Sequence, residues 1–309
     1  MNVVSFYRFV DIAAPGQLRD RVQALCEERQ VLGTVLLAAE GINGTIAGGS
    51  DSLQQVLDTV QTLLSLEKPL TGRWTQVSEA PFRRLRVRVK NEIVTLGRPD
   101  IRPQQSTGKH VPPDQWNTLI DDPQTLLIDT RNHYEVEVGT FPRAVDPGTD
   151  SFRQFGDFAA AIPAEEKKRP VAMFCTGGIR CEKASALMLE LGFRDVYQLE
   201  GGILNYLQEK DPGGNRWQGE CFVFDSRVAV DRDLAEGGYV QCHACRRPLS
   251  SRDLESPDYR EGVSCPRCIN ELEEERAARL EERRRQVALA RERGEKHIGA
   301  ALPHKRGQG

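Results

Sequence analysis

The feature that most constrains this chain is an apolar strand running into a cysteine, two glycines and a helix start: residues 174–184 read FCTGGIRCEKA. This pattern predicts a strand–loop–helix with Cys175 at the strand end. Loop N–H groups and the helix N-terminus would surround the sulfur and favour its thiolate. Gly177 and Gly178 permit the backbone angles that turn amides toward one anion, and Arg180 adds a fixed positive charge. Such a loop welcomes a persulfide, an oxyanion or a phosphate. An isolated strand-end cysteine is usually inert core. The company of Thr176, Gly177, Gly178, Ile179 and Arg180, with Asp129-Thr130-Arg131 ending an earlier strand, points to a reaction instead.

Around this loop, apolar runs at 126–128, 171–174 and 196–199 alternate with helical patterns at 152–162 and 183–191. That alternation predicts an α/β domain over residues 115–215, with a buried parallel sheet and active-site candidates at strand ends. Cys181 opens the next helix, either as packing and helix-start hydrogen bonding or as a redox partner of Cys175. Asp129 and Arg131 read as a buried ion pair or helix cap fixing the wall of the site. His133 reads as a surface residue, Cys26 as core filler and Cys221 as structural.

Upstream, the pattern is strand 3–9, helix 15–28, strand 31–39, a turn at 41–44 with a short strand after it, helix 52–66 and strand 85–96. The order βαββαβ predicts a ferredoxin-like (acylphosphatase-like) α+β domain over residues 1–98, with its helices on one face. Strict alternation in 85–90 turns Leu85, Val87 and Val89 inward and Arg86, Arg88 and Lys90 outward, with Arg84 extending the outward row. A polar sheet face normally mixes both signs of charge. An all-basic row predicts contact with an RNA phosphate backbone. Residues 99–114, rich in proline and polar side chains, read as a linker.

Near the C-terminus, Cys242-His-Ala-Cys245, nineteen intervening residues and Cys265-Pro-Arg-Cys268 have the spacing of a structural four-thiolate zinc site. Four thiolates leave no open position for catalysis, so the metal would hold together a zinc-ribbon-like module at 216–270. A charged helix laced with ion pairs and a disordered tail are expected over 271–309.

Composition narrows the classes. With 39% hydrophobic and 28% charged residues in 309, the chain can bury a core, which excludes a disordered or fibrous protein. Lys+Arg 42 against Asp+Glu 45 leaves no global nucleic-acid signature, so RNA contact must come from local patches. No apolar run approaches the roughly 18 residues of a membrane span and no leader pattern is present, which predicts no membrane association and a cytoplasmic protein with reduced thiols. No flavin or nicotinamide fingerprint, iron triad or obligate protein partner is evident.

Two resemblances follow from these residues. The Cys175–Arg180 loop, preceded by LLIDTRNHYEVEVGTF and followed by LEGGI (199–203), resembles a rhodanese domain. The strings EGINGT (40–45), VRVKNEIVTLG (87–97), CTGGIRCEKA and GECFVFDSRVAV (219–230), in this order, resemble the tRNA uridine-34 hydroxylase family over nearly the whole chain. That resemblance implies oxygen-dependent hydroxylation of the wobble uridine to 5-hydroxyuridine, with molecular oxygen as co-substrate, the tRNA anticodon arm as partner and Cys175 as the reactive residue. EGINGT, read from its residues as a Gly-Asn-Gly hairpin turn, would then line the cleft. A rhodanese loop alone serves sulfur transfer as well, so the alternative is a sulfurtransferase carrying a persulfide on Cys175. A non-catalytic RNA-binding protein is disfavoured by the intact Cys175 and Arg180.

Overall fold

Period-two alternation and two amphipathic helices build the first layer pair. The computed structural model describes residues 1–77, 80–210 and 212–294, and the chain divides into two units, Met1–Gly237 and Gly238–Gly309. The first unit begins with β1 (Asn2–Phe9), α1 (Pro15–Glu28), β2 (Leu32–Ala38), β3 (Gly41–Gly48), α2 (Ser50–Leu63), β4 (Arg73–Gln76) and β5 (Leu85–Val89). The sheet order is β4-β1-β3-β2-β5, antiparallel except for the parallel β2–β5 pair. Its first four strands take the ferredoxin-like arrangement, and β5 extends the edge at β2. Leu18, Val22 and Cys26 of α1 and Val56, Leu57 and Val60 of α2 share one core with Val4, Phe6, Val35 and Leu37. Both helices therefore cover the same face.

Three expectations here need correction. Residues 41–44 do not turn. They are the first half of β3, and pairing with β1 as Arg8↔Ile42 and Tyr7↔Asn43 gives them ladder partners. The fourth strand of the ferredoxin-like order is β4, whose RWTQ is too short to show a period; the strand expected at 85–96 is the fifth and stops at Val89. Val87 is buried and Leu85 packs partly on the core, but Val89 is 46% exposed at the end of this edge strand.

The expected linker is not a free tether. Ile101 is buried in the core of the following domain, as is Leu96 just before the expected linker, and β6 (Lys109–Val111) pairs in parallel with one of its strands. The sheet edge uses the backbone groups of this polar stretch, which side-chain composition does not report. There follow α3 (Pro113–Asp121), β7 (Leu126–Asp129), α4 (His133–Val136), β8 (Gly139–Thr140), α5 (Phe155–Ala161), β9 (Val171–Phe174), α6 (Ile179–Glu190), β10 (Val196–Leu199) and α7 (Gly202–Glu209). The sheet β6-β10-β9-β7 is wholly parallel. Strand β9 is buried on both faces: Val171 and Met173 enter a core with α5 and α6, while Ala172 and Phe174 enter another with α3 and α7.

Residues 216–237, expected in the cysteine-rich module, fold with the first unit. Here β11 (Gln218–Gly219), β12 (Cys221–Phe222) and β13 (Ala229–Val230) place Trp217, Cys221 and Val230 in the core of α3 and α7. The second unit holds β14 (Val240–Gln241), β15 (Pro248–Leu249), α8 (Ser251–Leu254) and α9 (Glu274–Glu292). Helix α9 is part of this unit: Leu280 packs against the cysteine cluster and Arg276 Nη2 donates to the Ala244 carbonyl at 2.7 Å. Its surface carries the expected ion pairs, including Arg284–Glu281 and Arg285–Glu282. The tail expected to be disordered, 295–309, lies outside the described residues. Among the described residues no helix is long and apolar enough to cross a membrane.

Candidate active site

Strand β9 delivers Cys175 to the carboxyl end of the parallel sheet, where open α/β sheets hold ligands. Gly178 caps α6 with φ +96, a left-handed conformation that glycine adopts without strain, and its amide donates to Cys175 Sγ at 3.1 Å. Gly177, expected to share that role, is not among the glycines with positive φ. From behind, the N–H groups of Ile203 and Leu204 donate to the Cys175 and Thr176 carbonyls at 2.9 and 3.1 Å. The approach is so close that a Cβ on Gly202 would lie 2.5 Å from the Cys175 carbonyl oxygen. This contact is the physical content of the LEGGI string.

Burial pushes the Cys175 thiol up. Donation from the Cys181 thiol, the Arg180 charge and the amides of Cys181 and Arg180 outweigh burial and bring its pKa from 9.0 down to about 6. Cys181 moves the opposite way, raised by burial and by its neighbour Cys175. Of the two thiols, Cys175 is the one whose surroundings favour the thiolate. Burial raises Cys26 and Cys221 to about 12, which leaves both inert.

Arg180 is not the free charge that the sequence suggested. Its Nη1 and Nη2 bind both oxygens of Glu135 at 2.7 and 2.8 Å, and Nη2 also donates to Thr176 Oγ1 at 3.2 Å. Sequence reasoning missed Glu135, although Asn132 followed three residues later by Glu is a capping-box signal, and one half of that box forms here, the Asn132 amide donating to Glu135 Oε2 at 3.1 Å. Asp129 and Arg131 make a fully buried pair, with Nε and Nη2 at 2.8 and 2.6 Å from the two carboxylate oxygens. Arg131 also donates to the Glu135 and Gly139 carbonyls at 3.2 and 2.5 Å. The pair fixes α4, α4 carries Glu135, and Glu135 holds the loop through Arg180. His133 is at the surface, with Nδ1 2.6 Å from Asp146.

The facing wall comes from the N-terminal domain. The Tyr7 hydroxyl on β1 donates to Glu182 Oε1 at 3.2 Å, and His110 Nε2 on β6 lies 2.9 Å from the same oxygen. Thr107 and Gln198 donate to Glu182 Oε2 at 3.0 and 3.2 Å. Burial raises the Glu182 carboxyl, but His110 and these donors prevail and hold it below the usual range. Next along α6, the fully buried Lys183 binds Glu40 Oε2 at 2.8 Å and also Glu92. Glu40 belongs to EGINGT, Glu92 to VRVKNEIVTLG and Lys183 to CTGGIRCEKA, so three separate strings meet at one ammonium group. The fourth contributes Phe224, whose ring centre lies 5.8 Å from the Arg180 guanidinium carbon.

Cys175, Tyr7, His110, Glu182 and Phe224 line one cavity of about 1390 Å³. This exceeds the roughly 300–1,000 Å³ typical of a small-molecule site. Cys175 lies in its floor with 0% exposure, shielded from bulk water. Asn43 and Thr45 of the EGINGT segment also line it, and Arg8, Lys68, Arg73, Arg153 and Arg227 make much of the wall basic. The expected RNA stripe is elsewhere: Arg84, Arg86, Arg88 and Lys90 are exposed on and beside β5 and are not lining residues. Arg84 first, then burial and Arg88, lower the Arg86 pKa, the mark of a concentrated positive field.

In the second unit, the sulfurs of Cys242, Cys245, Cys265 and Cys268 lie within 4.8 Å of one another. Cys245–Cys265 and Cys265–Cys268 are 3.8 and 3.6 Å apart. Thiolates on a tetrahedral zinc, at ~2.3 Å each, stand about 3.8 Å from one another. The cluster can therefore hold a metal ion.

Residues 1–93 match the family described as UPF0176 acylphosphatase like domain, and residues 112–209 match the rhodanese-like domain. A Mesorhizobium japonicum protein named tRNA uridine(34) hydroxylase is 49% identical over 301 residues, covering 97% of both chains. A Teredinibacter turnerae protein of the same name is 47% identical over 297 residues, covering 96% of this chain and 92% of its own.

Proposed function

This chain belongs to the tRNA uridine(34) hydroxylase family, and on that footing we propose that it hydroxylates C5 of uridine 34 in tRNA, with Cys175 as the nucleophile. The observation that carries the reading is the Cys175 sulfur, lowered to about 6 and set in the floor of the 1390 Å³ cavity. A base that is chemically altered must leave its stack, and RNA loops offer such bases splayed out. The anticodon arm would enter along the basic wall of Arg8, Lys68 and Arg73, which binds phosphate without regard to sequence.

Addition of the Cys175 thiolate to C6 makes C5 electron-rich. Amides at the start of α6 and the Arg180–Glu135 pair hold the sulfur in place while charge moves onto the ring. One atom of dioxygen then enters at C5. The other leaves as water, using two electrons and two protons from a thiol-class reductant. Loss of the C5 proton expels Cys175 and restores the double bond. In the second unit the four cysteines would hold a structural zinc, remote in role from this chemistry. Action on tRNA supports the reading that the protein works in the cytoplasm.

The test is the purified chain with a tRNA transcript bearing uridine 34 under 18O-labelled dioxygen. Labelled 5-hydroxyuridine from the parent and none from Cys175→Ser is expected. Product from Cys175→Ser refutes the nucleophile, and unlabelled product refutes oxygen as the source.

A further inference from the structure

After a thiolate adds at C6, exchange at C5 needs a proton to reach that carbon, and departure of the thiolate needs one to leave it, the work of a positioned acid–base group. Cys181 is unsuited, since its proton is engaged by Cys175. Tyr7, Glu182 and His110 stand on the same cavity wall. Resting on the hydroxylase reading above, we propose that Tyr7 is a catalytic residue that carries the proton to and from C5 of the pyrimidine. Glu182 and His110 are positioning residues that link it to solvent.

The placement of the hydroxyl carries the argument. A Cβ on Gly178 would come within 3.0 Å of the Tyr7 hydroxyl oxygen, and the amide of that same Gly178 binds Cys175 Sγ at 3.1 Å. Phenol and sulfur thus address one small volume from opposite domains. Behind the phenol, Glu182 Oε1 is shared with His110, and side-chain exposure rises from 12% at Glu182 to 43% at His110. A continuous chain runs from the cavity floor to water. Burial and then Glu182 raise Tyr7, so it stays a phenol. Hydrogen bonding to Glu182 raises His110 above its ordinary 6.5. The other charged and titratable groups facing this chain are Cys175 and Cys181 at the loop and α6, Arg73 on β4 and Glu200 after β10.

The step balances. When Cys175 Sγ bonds to C6, the C5–C6 π pair moves to C5 and O4. The Tyr7 hydroxyl turns from Glu182 and gives its proton to C5, and the phenolate is refilled from the His110 imidazolium through Glu182. In reverse, the Tyr7 oxygen takes a proton from C5 as its own O–H proton passes through Glu182 to a neutral His110 imidazole, the C–H pair rebuilds the double bond, and the C6–S pair returns to sulfur. No electrons are gained or lost. Hydroxylation uses the reverse limb once oxygen is on C5.

The experiment follows C5–H exchange into deuterium oxide without dioxygen, by mass spectrometry of uridine 34 from an anticodon stem-loop RNA incubated with the full chain. Alkylation of Cys175 is measured in parallel. The parent exchanges, Cys175→Ser does not, and Tyr7→Phe slows exchange and aerobic hydroxylation by about 10²-fold or more while Cys175 alkylation keeps its pH profile. His110→Gln removes a limb from the pH profile of exchange. Tyr7→Phe exchange at the parent rate overturns the relay and leaves the hydroxylase reading standing, as does loss of Cys175 alkylation in that variant, which marks a collapsed site. Hydroxylation by the parent without any exchange overturns the relay and leaves the hydroxylase reading standing, and a parent that does neither overturns both readings.

Discussion

Lys183 Nζ lies 2.8 Å from Glu40 Oε2, with side-chain exposures of 0% and 6%. An ammonium on the rhodanese helix is thereby locked to the β2–β3 connection of the ferredoxin-like sheet. Glu92, the second partner, also accepts the amides of Leu96 and Gly97 at 3.1 and 2.9 Å. Removing the lysine leaves two buried carboxylates side by side without a counter-charge.

Lys183→Met is therefore expected to destabilise the chain by about 3–5 kcal/mol. For a unit of this size that is a fall in Tm of roughly 6–20 °C. Calorimetry checks it. The triple variant with Glu40→Gln and Glu92→Gln should recover part of the loss, because it removes the uncompensated charges.

Alkylation of Cys175 should follow its thiolate: slow below pH 6, rising through about 6 and level above that. Protonation as pH falls through this value should also abolish hydroxylation. Cys181→Ala removes a donor to the sulfur, so the inflection moves up toward that of an ordinary thiol. Peptide mapping after iodoacetamide at several pH values measures both, with Cys26 and Cys221 unreactive throughout.

Glu135→Gln leaves the Arg180 guanidinium, 8% exposed, without its carboxylate. A loss of about 3–5 kcal/mol is expected, with turnover lowered because the loop is no longer held. Retained stability with full turnover would show that Thr176 and the loop backbone suffice. Urea unfolding and single-turnover kinetics read the two effects.

Periodicity alone located α1, β9 and β10, because their apolar residues repeat over a whole element and both faces of β9 are buried. The Cys175 loop was legible because its chemistry is local. Tyr7, Glu135, His110 and Lys183 were not, since their roles come from partners distant in the chain: Tyr7 meets Glu182 175 residues away and Lys183 meets Glu40 143 residues away. Arg180 was identified, but its bidentate hold by Glu135 turns a presumed free charge into a strut. The polar residues of β6 hid a strand that exists only because β10 offers an edge.

Charge reversal separates the two basic surfaces. Arg73→Glu, on the cavity wall, should weaken tRNA binding and flatten its salt dependence by about one unit of slope for each phosphate that is no longer neutralised. Arg86→Glu with Arg88→Glu should do the same if the exposed stripe also tracks the backbone. Filter binding across a salt series distinguishes one surface from both.

Chelation should remove one zinc per chain and unfold the second unit, seen as loss of the α9 helical signal, since four thiolates close the site. Cys265→Ser should bind no metal. Zinc release followed with a colorimetric chelator gives the stoichiometry.

Nucleoside mass spectrometry of bulk tRNA decides whether a Cys175 thiolate makes 5-hydroxyuridine at position 34. The comparison is between cells lacking this gene and the same cells complemented with either the parent or Cys175→Ser. In the deletion, 5-hydroxyuridine and its derivatives are expected to vanish, to return with the parent and to stay absent with Cys175→Ser. Unchanged 5-hydroxyuridine in the deletion, or a loss confined to thiouridines, would contradict it.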